Sequence, residues 1–180
     1  MADPLEGIEK QVKRRNFDSP PLHLWHPALS GDIAIRVAAD GVWYHDGTPI
    51  QRESLVRLFA SILRREDDGE YYLVTPAEKW RIEVELHPLI VTDITPTDAQ
   101  KSKPVLQALL NTGKTVEISA EHPLFLEPSV GDIPALNLQH GLTALLSRAA
   151  WYRLADMATE EGGVLTITSG EYDFALEPQR

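Results

Sequence analysis

A chain of 180 residues with 43% hydrophobic and 24% charged side chains has the composition of a folded globular protein, long enough for one ordinary domain or two small lobes. Its 17 Lys+Arg against 27 Asp+Glu give a net charge of −10, which argues against nucleic acid or a membrane surface as partner, and the lack of any Cys excludes thiolate catalysis, disulfides, zinc ribbons and iron–sulfur ligation. No run of about 18 apolar residues is present to span a bilayer, and Met1–Glu6 is acidic rather than signal-like, so the expectation is a soluble, cytoplasmic α+β protein of bacterial type.

In chain order, the first predicted element is a helix over residues 4–16. Asp3 is a suitable N-cap, Pro4 suits the first helical position, and Glu6 completes a capping-box-like pattern. Leu5, Ile8 and Val12 share one face, and Lys13, Arg14 and Arg15 close the last turn, where cations favour the helix dipole. Residues 18–31 are a Pro-rich, aromatic-bearing loop. Ile33, Ile35 and Val37 alternate with polar or small residues as a half-buried strand, Asp40-Gly41 turns the chain, Val42–His45 returns as a second strand, and Asp46-Gly47 turns it again.

Leu55, Leu58, Phe59, Ile62 and Leu63 recur at helical spacing, which places Arg52, Arg57, Arg64 and Arg65 on the other faces of one amphipathic helix. Asp67-Asp68-Gly69 stops it. Tyr71–Val74 and Trp80–Leu86 read as strands flanking Thr75–Glu78. The second alternates strictly, so one face is buried and the other wet. Leu89–Val91 is a further short strand. The polar residues 95–104 are the expected boundary between an N-terminal lobe, 1–94, and a C-terminal lobe, 95–180. Strands near Thr115–Ser119 and Pro123–Glu127 follow, then a helix over 141–158 with Leu142, Leu145, Leu146, Ala149 and Tyr152 on one face. Two closing strands, Val164–Thr168 and Tyr172–Leu176, complete the chain.

The halves read alike, each with a strand-strand-helix-strand-strand motif. Asp68-Gly69 matches Glu161-Gly162, Thr75 matches Thr168 and Glu78 matches Glu171, all 93 residues apart, which predicts an internal duplication.

The segment Asp40–Ile50, followed by Arg52, Leu55–Phe59, Ile62–Glu66, Tyr71–Pro76 and Glu78-Lys79, resembles the bacterial family known as domain of unknown function 1285. The resemblance is most specific over 31–86 and continues through Gly141-Leu142, Arg148, Tyr152 and Ser169-Gly170. It implies two lobes carrying a repeated motif, the second superficially like a pleckstrin-homology domain, with a ligand cleft between them and a role in signal transduction.

Catalytic readings are weak by comparison. His26, His87 and His122 precede proline, and His23-x-x-His26 lies in a Pro-rich stretch with no carboxylate nearby, so no metal site is expected. His45 lies beside Asp46, but successive strand residues point to opposite faces. No Gly-x-Ser-x-Gly elbow, dinucleotide fingerprint or P-loop occurs. The leading expectation is a non-enzymatic module, without cofactor, that binds a small anionic ligand or a protein partner in the cleft. Its candidate binding residues are Trp43, His45, Arg52, Arg57, Glu78, Lys79, Arg148 and Tyr152, since arginine grips carboxylates and phosphates in bidentate fashion. The alternatives are a hydrolase using His45 or Glu78 as base in the same cleft, and a ligand-free adaptor.

Overall fold

Asp3 caps the first helix as its position suggests: its Oδ1 accepts from the Leu5 N–H at 3.1 Å, and α1 runs Pro4–Lys13. Glu6 faces Lys10 across one turn at 3.7 Å. The computed structural model describes residues 3–13, 19–98 and 100–178. The expected continuation of α1 through residue 16, with Arg14 and Arg15, lies outside the described residues. The fold is α+β and divides into two units, Met1–Pro88 with His140–Leu142 and Leu89–Gln139 with Thr143–Arg180.

In the first unit, β1 (Leu29–Val37), β2 (Trp43–His45) and β3 (Thr48–Pro49) form an antiparallel meander. After α2 (Glu53–Ser61), β4 (Leu63–Arg65), β5 (Tyr71–Val74) and β6 (Lys79–Val84) form a second. The two join at the middle, where β6 runs parallel beside β1, giving the order β3-β2-β1-β6-β5-β4. Alternation works as read from the sequence: Ile33, Ile35, Val37, Leu73 and Ile82 are buried, together with Ile8 and Val12 of α1 and Phe59 of α2.

Arg64 and Arg65 correct the sequence reading, because they stand on β4 rather than on the helix. The chain leaves α2 at Ile62, whose carbonyl accepts from the Val74 N–H at 2.9 Å, and Leu63 pairs with Leu73. Leu63 extends the helical periodicity, but strand pairing with β5 takes it instead.

The second unit repeats the arrangement. Its strands are β7 (Leu89–Thr97), β8 (Val105–Leu110), β9 (Thr115–Glu117), β10 (Leu124–Glu127), β11 (Ile133–Asn137) and β12 (Thr143–Leu146). They are ordered β10-β11-β12-β7-β8-β9, with β7 and β12 parallel at the centre. Read outward from the centre, this is the topology of the first sheet. The duplication is therefore real at the level of topology, but its spacing is not 93 residues: β1 begins at Leu29 and β7 at Leu89, 60 residues apart. Thr75 and Thr168 are not equivalent either. Thr75 closes a turn through the Glu78 backbone, whereas the Thr168 hydroxyl lies 2.6 Å from Asp173 Oδ1.

The six-strand sheet of the second unit is curled. Laid flat, its edge strands would stand about 24 Å apart, yet β9 connects to β10 through a short link that includes a tight Ser119–His122 turn. Residues 95–104 are no boundary: β7 runs to Thr97 and turns back into β8, a strand absent from the sequence reading, and the units divide at Leu89.

The helix expected over 141–158 is also corrected. Thr143–Leu146 is β12, with Ala144, Leu145 and Leu146 opposite Leu89, Ile90 and Val91, and the helix α3 spans only Arg148–Asp156. A short apolar run buried on both faces suits a central parallel strand as well as a helix. Ser147 resolves the two, its Oγ accepting from the Ala150 N–H at 3.2 Å as N-cap. The chain ends in a three-stranded sheet of β13 (Thr159–Glu161), β14 (Val164–Ser169) and β15 (Tyr172–Ala175).

Candidate functional site

Cross-strand pairing in the first unit places Arg64 opposite Tyr72, Tyr72 opposite Arg81, and Arg81 opposite Asp32. Paired residues share a face, so these four form a polar row across β4, β5, β6 and β1. Arg64 donates to the Leu22 and Trp25 carbonyls at 2.8 and 2.9 Å and to Glu66 at 2.6 Å, tying the Pro-rich loop to the sheet. The Lys79 ammonium reaches both oxygens of Glu66 at 3.2 and 3.0 Å and lies 4.7 Å from the centroid of the Tyr72 ring. Burial alone would raise the Glu66 pKa, but the hydrogen bonds from Arg64 and Lys79 outweigh it and hold the carboxyl below its usual value. Tyr72 donates to Asp68 at 2.6 Å, and this bond, with burial, pushes its pKa up to about 12.

Beside this row lies a groove of about 440 Å3. It opens where the central parallel pair parts: from one paired position to the next β1 advances from Asp32 to Arg36, while β6 advances only from Arg81 to Glu83. Ile33, Ala34, Ile35 and Ile82 supply its apolar lining, Asp32, Asp46, Glu70 and Glu83 its carboxylates, and Arg36 and Arg81 its cations. Arg81 Nε donates to Asp32 Oδ1 at 2.6 Å, which lowers the Asp32 pKa and raises that of Arg81. Arg36 is ion-paired to Glu85 and stacks 4.4 Å from the Tyr44 ring centroid. The Asp46-Gly47 turn, with φ of 48° and 76°, has the left-handed pair of residues that a two-residue hairpin requires, and the Asp46 N–H bonds the Ala34 carbonyl at 3.0 Å.

The expected site residues lie mostly elsewhere. Trp43 is a core residue, 2% exposed and stacked on Phe59 at 6.4 Å between centroids. Its Nε1, like that of Trp80, is buried with no hydrogen-bond partner among the described residues. His45 Nε2 lies 3.3 Å from Asp46 Oδ2. The two do not diverge as strand neighbours would, because Asp46 has left the strand for the left-handed turn. His45 itself does not line the groove. Arg52 pairs with Glu9 at 2.6 Å, Arg57 is exposed on α2, and Glu78 accepts from Gln11 at 3.0 Å. Lys79 is held by Glu66, as described. Arg148 and Tyr152 belong to the second unit, where the guanidinium donates to the phenol oxygen at 3.1 and 3.0 Å. Among the described residues no group of three or more His, Cys, Asp or Glu is placed to hold a metal ion.

The groove residues Asp32, Arg36, Arg81 and Glu83 were missed. Their signal was present in the polar positions of the two alternating strands. What was missing was the fact that those strands pair with each other.

Family models for the domain of unknown function 1285 match in two pieces, the N-terminal domain over residues 20–86 and the C-terminal domain over residues 88–176. A crystal structure of a DUF1285 family protein from Silicibacter pomeroyi DSS-3 is similar to this chain at 35% identity and a TM-score of 0.87, covering 97% of this chain and 95% of that one. A second, from Shewanella baltica OS155, is 30% identical with a TM-score of 0.58, covering 69% of this chain and 91% of that one. No curated protein matches the chain.

Proposed function

The chain belongs to the domain of unknown function 1285 family, and from that premise we propose that it is a non-enzymatic binding module that takes a small molecule in the groove on the first unit's sheet. One observation carries this reading. The groove, at about 440 Å3, is within the size range of ligand pockets, and its eleven lining residues include no Ser, Thr, Cys, Lys, His or Tyr. Such a lining supplies charge, shape and apolar surface, with carboxylates but no hydroxyl, thiol or amine nucleophile and no imidazole base. The hydrolase alternative gains no support from it, because His45 and Glu78 do not line the groove. The proposal also moves the site from a cleft between lobes to a surface within one unit, since every lining residue belongs to the first. Binding without turnover is how a sensor works, and the signalling role inside the cell expected from the sequence belongs with this proposal.

Thermal unfolding against a panel of organic acids, amines, amino acids and nucleotides tests it. A ligand at about 100 times Kd stabilises by roughly 2.7 kcal/mol, which is a midpoint shift on the order of 5–10 °C for a chain this size. Ala34→Trp, at an exposed lining position, should plug the groove and abolish the shift. Arg57→Ala, away from the groove, should keep it. A flat panel sinks the small-molecule reading, and a shift that survives Ala34→Trp puts the site elsewhere.

A further inference from the structure

We propose that the groove selects a positively charged ligand, an amine or guanidinium carried on a short aliphatic stem, rather than the anion that the chain's arginines suggest. The inference rests on the reading of the groove as a ligand site and adds the ligand's charge.

The charge of the ligand depends on which cations of the groove are still uncompensated. The groove presents two guanidiniums, and both are engaged: Arg81 by Asp32 at 2.6 Å, and Arg36 by Glu85, which also accepts from the Ala39 N–H at 2.9 Å. Each guanidinium is thus already charge-compensated by a carboxylate, and an incoming carboxylate or phosphate would meet no uncompensated positive charge. Two of the lining acids are in the opposite situation. The lining contains four carboxylates against two guanidiniums, and the partner of Arg36 lies outside the lining. Glu70 and Glu83 are exposed and form no salt bridge among the described residues. A groove with surplus carboxylates, in a chain of net charge −10, repels anions and concentrates cations.

The apolar part of the lining then decides the shape of the cation. Ile33, Ile35 and Ile82 are buried behind the parting of β1 and β6, and Ala34 is the exposed apolar residue of the lining, which Glu70, Glu83 and Asp46 share. A bare metal ion would gain nothing from this apolar surface. An alkylammonium ion can lay its methylenes along the Ala34 face of the groove while its head meets a carboxylate, which is how long cationic side chains pack on protein surfaces.

The test compares three probes of equal length, 1,4-diaminobutane, butanedioate and 1,4-butanediol, by titration calorimetry on the full chain at low salt. The diamine should bind, Ala34→Trp should abolish binding, and Glu70→Gln/Glu83→Gln should raise Kd at least about fivefold, the upper range for exposed charge pairs. Glu160→Gln/Glu161→Gln removes the same charge from the hairpin of β13 and β14 and should leave Kd unchanged. If this control weakens binding as much as the groove variant, the attraction is diffuse and the inference is overturned. Tighter binding of butanedioate, lost in Ala34→Trp, overturns the charge assignment while leaving the groove as a binding site. Failure of all three probes, together with a flat thermal panel, overturns the groove reading itself.

Discussion

Glu66 shows how much a single residue controls in the first unit. Arg64 and Lys79 are 13% and 17% exposed, and both direct their charge at this carboxylate. Glu66→Gln leaves two largely sheltered cations short of a partner, so a loss of about 2 kcal/mol is expected in urea unfolding at pH 7. The pH dependence has a definite sign. The folded pKa of Glu66 lies below its ordinary 4.5, so its contribution is complete above about 4.5 and is lost as pH falls through the lowered folded value. The stability gap between wild type and Glu66→Gln should therefore close on acidification and stay constant between pH 6 and 8. A gap that persists at pH 2 would mean that the carboxylate's charge is not what matters. None of this was readable in the sequence, where Glu66 is one more acid at the end of a predicted helix.

Single elements were read well where periodicity and local chemistry agree, and poorly where an apolar run suits two structures. The Asp3 cap and the Asp46-Gly47 turn are local, and both form as expected. Thr143–Leu146 is the counterexample, since its apolar density fits a helix until pairing with β7 claims it. The last sheet shows a third case, a contact that no pattern announces. Ser169 is 3% exposed, and its Oγ accepts from the Leu106 N–H at 2.8 Å and donates to the Ile118 carbonyl at 2.6 Å. It fastens the end of β14 to the larger sheet of the same unit. Ser169→Ala strands a buried donor and a buried acceptor and should cost roughly 2–4 kcal/mol in chemical denaturation. A cost under about 0.5 kcal/mol, the scale of an ordinary surface substitution, would show that water replaces the hydroxyl.

At the scale of the whole molecule, the dominant facts are the repeated six-strand topology and the negative charge. Both units are built as two meanders joined by one parallel pair, and in the first unit that central seam is where the groove opens. A parallel seam has no hairpin to fix its register, so β1 can advance further than β6 without breaking either meander. The net charge of −10 makes cation binding sensitive to salt. Between about 0.1 M and 1 M NaCl the Debye length falls from roughly 10 Å to 3 Å. The diamine's Kd should rise at least about threefold over that range in calorimetry. An affinity insensitive to salt would point to the apolar lining rather than the carboxylates as the main contact.

By itself, the sequence determined what depends on neighbours in the chain: the α+β class, the caps and tight turns, the wet and buried faces of the first-unit strands, and family membership through the motifs around Asp40–Thr75. Tertiary structure decided what depends on pairing across long separations. It joined β1 to β6 and β7 to β12, set the repeat at 60 residues, drew Leu63 and Thr143–Leu146 away from helices, and brought Asp32 onto Arg81. The reason is physical: a period of two or of 3.6 states which face of an element is buried, whereas strand partnership is set by competition among all strands for one sheet.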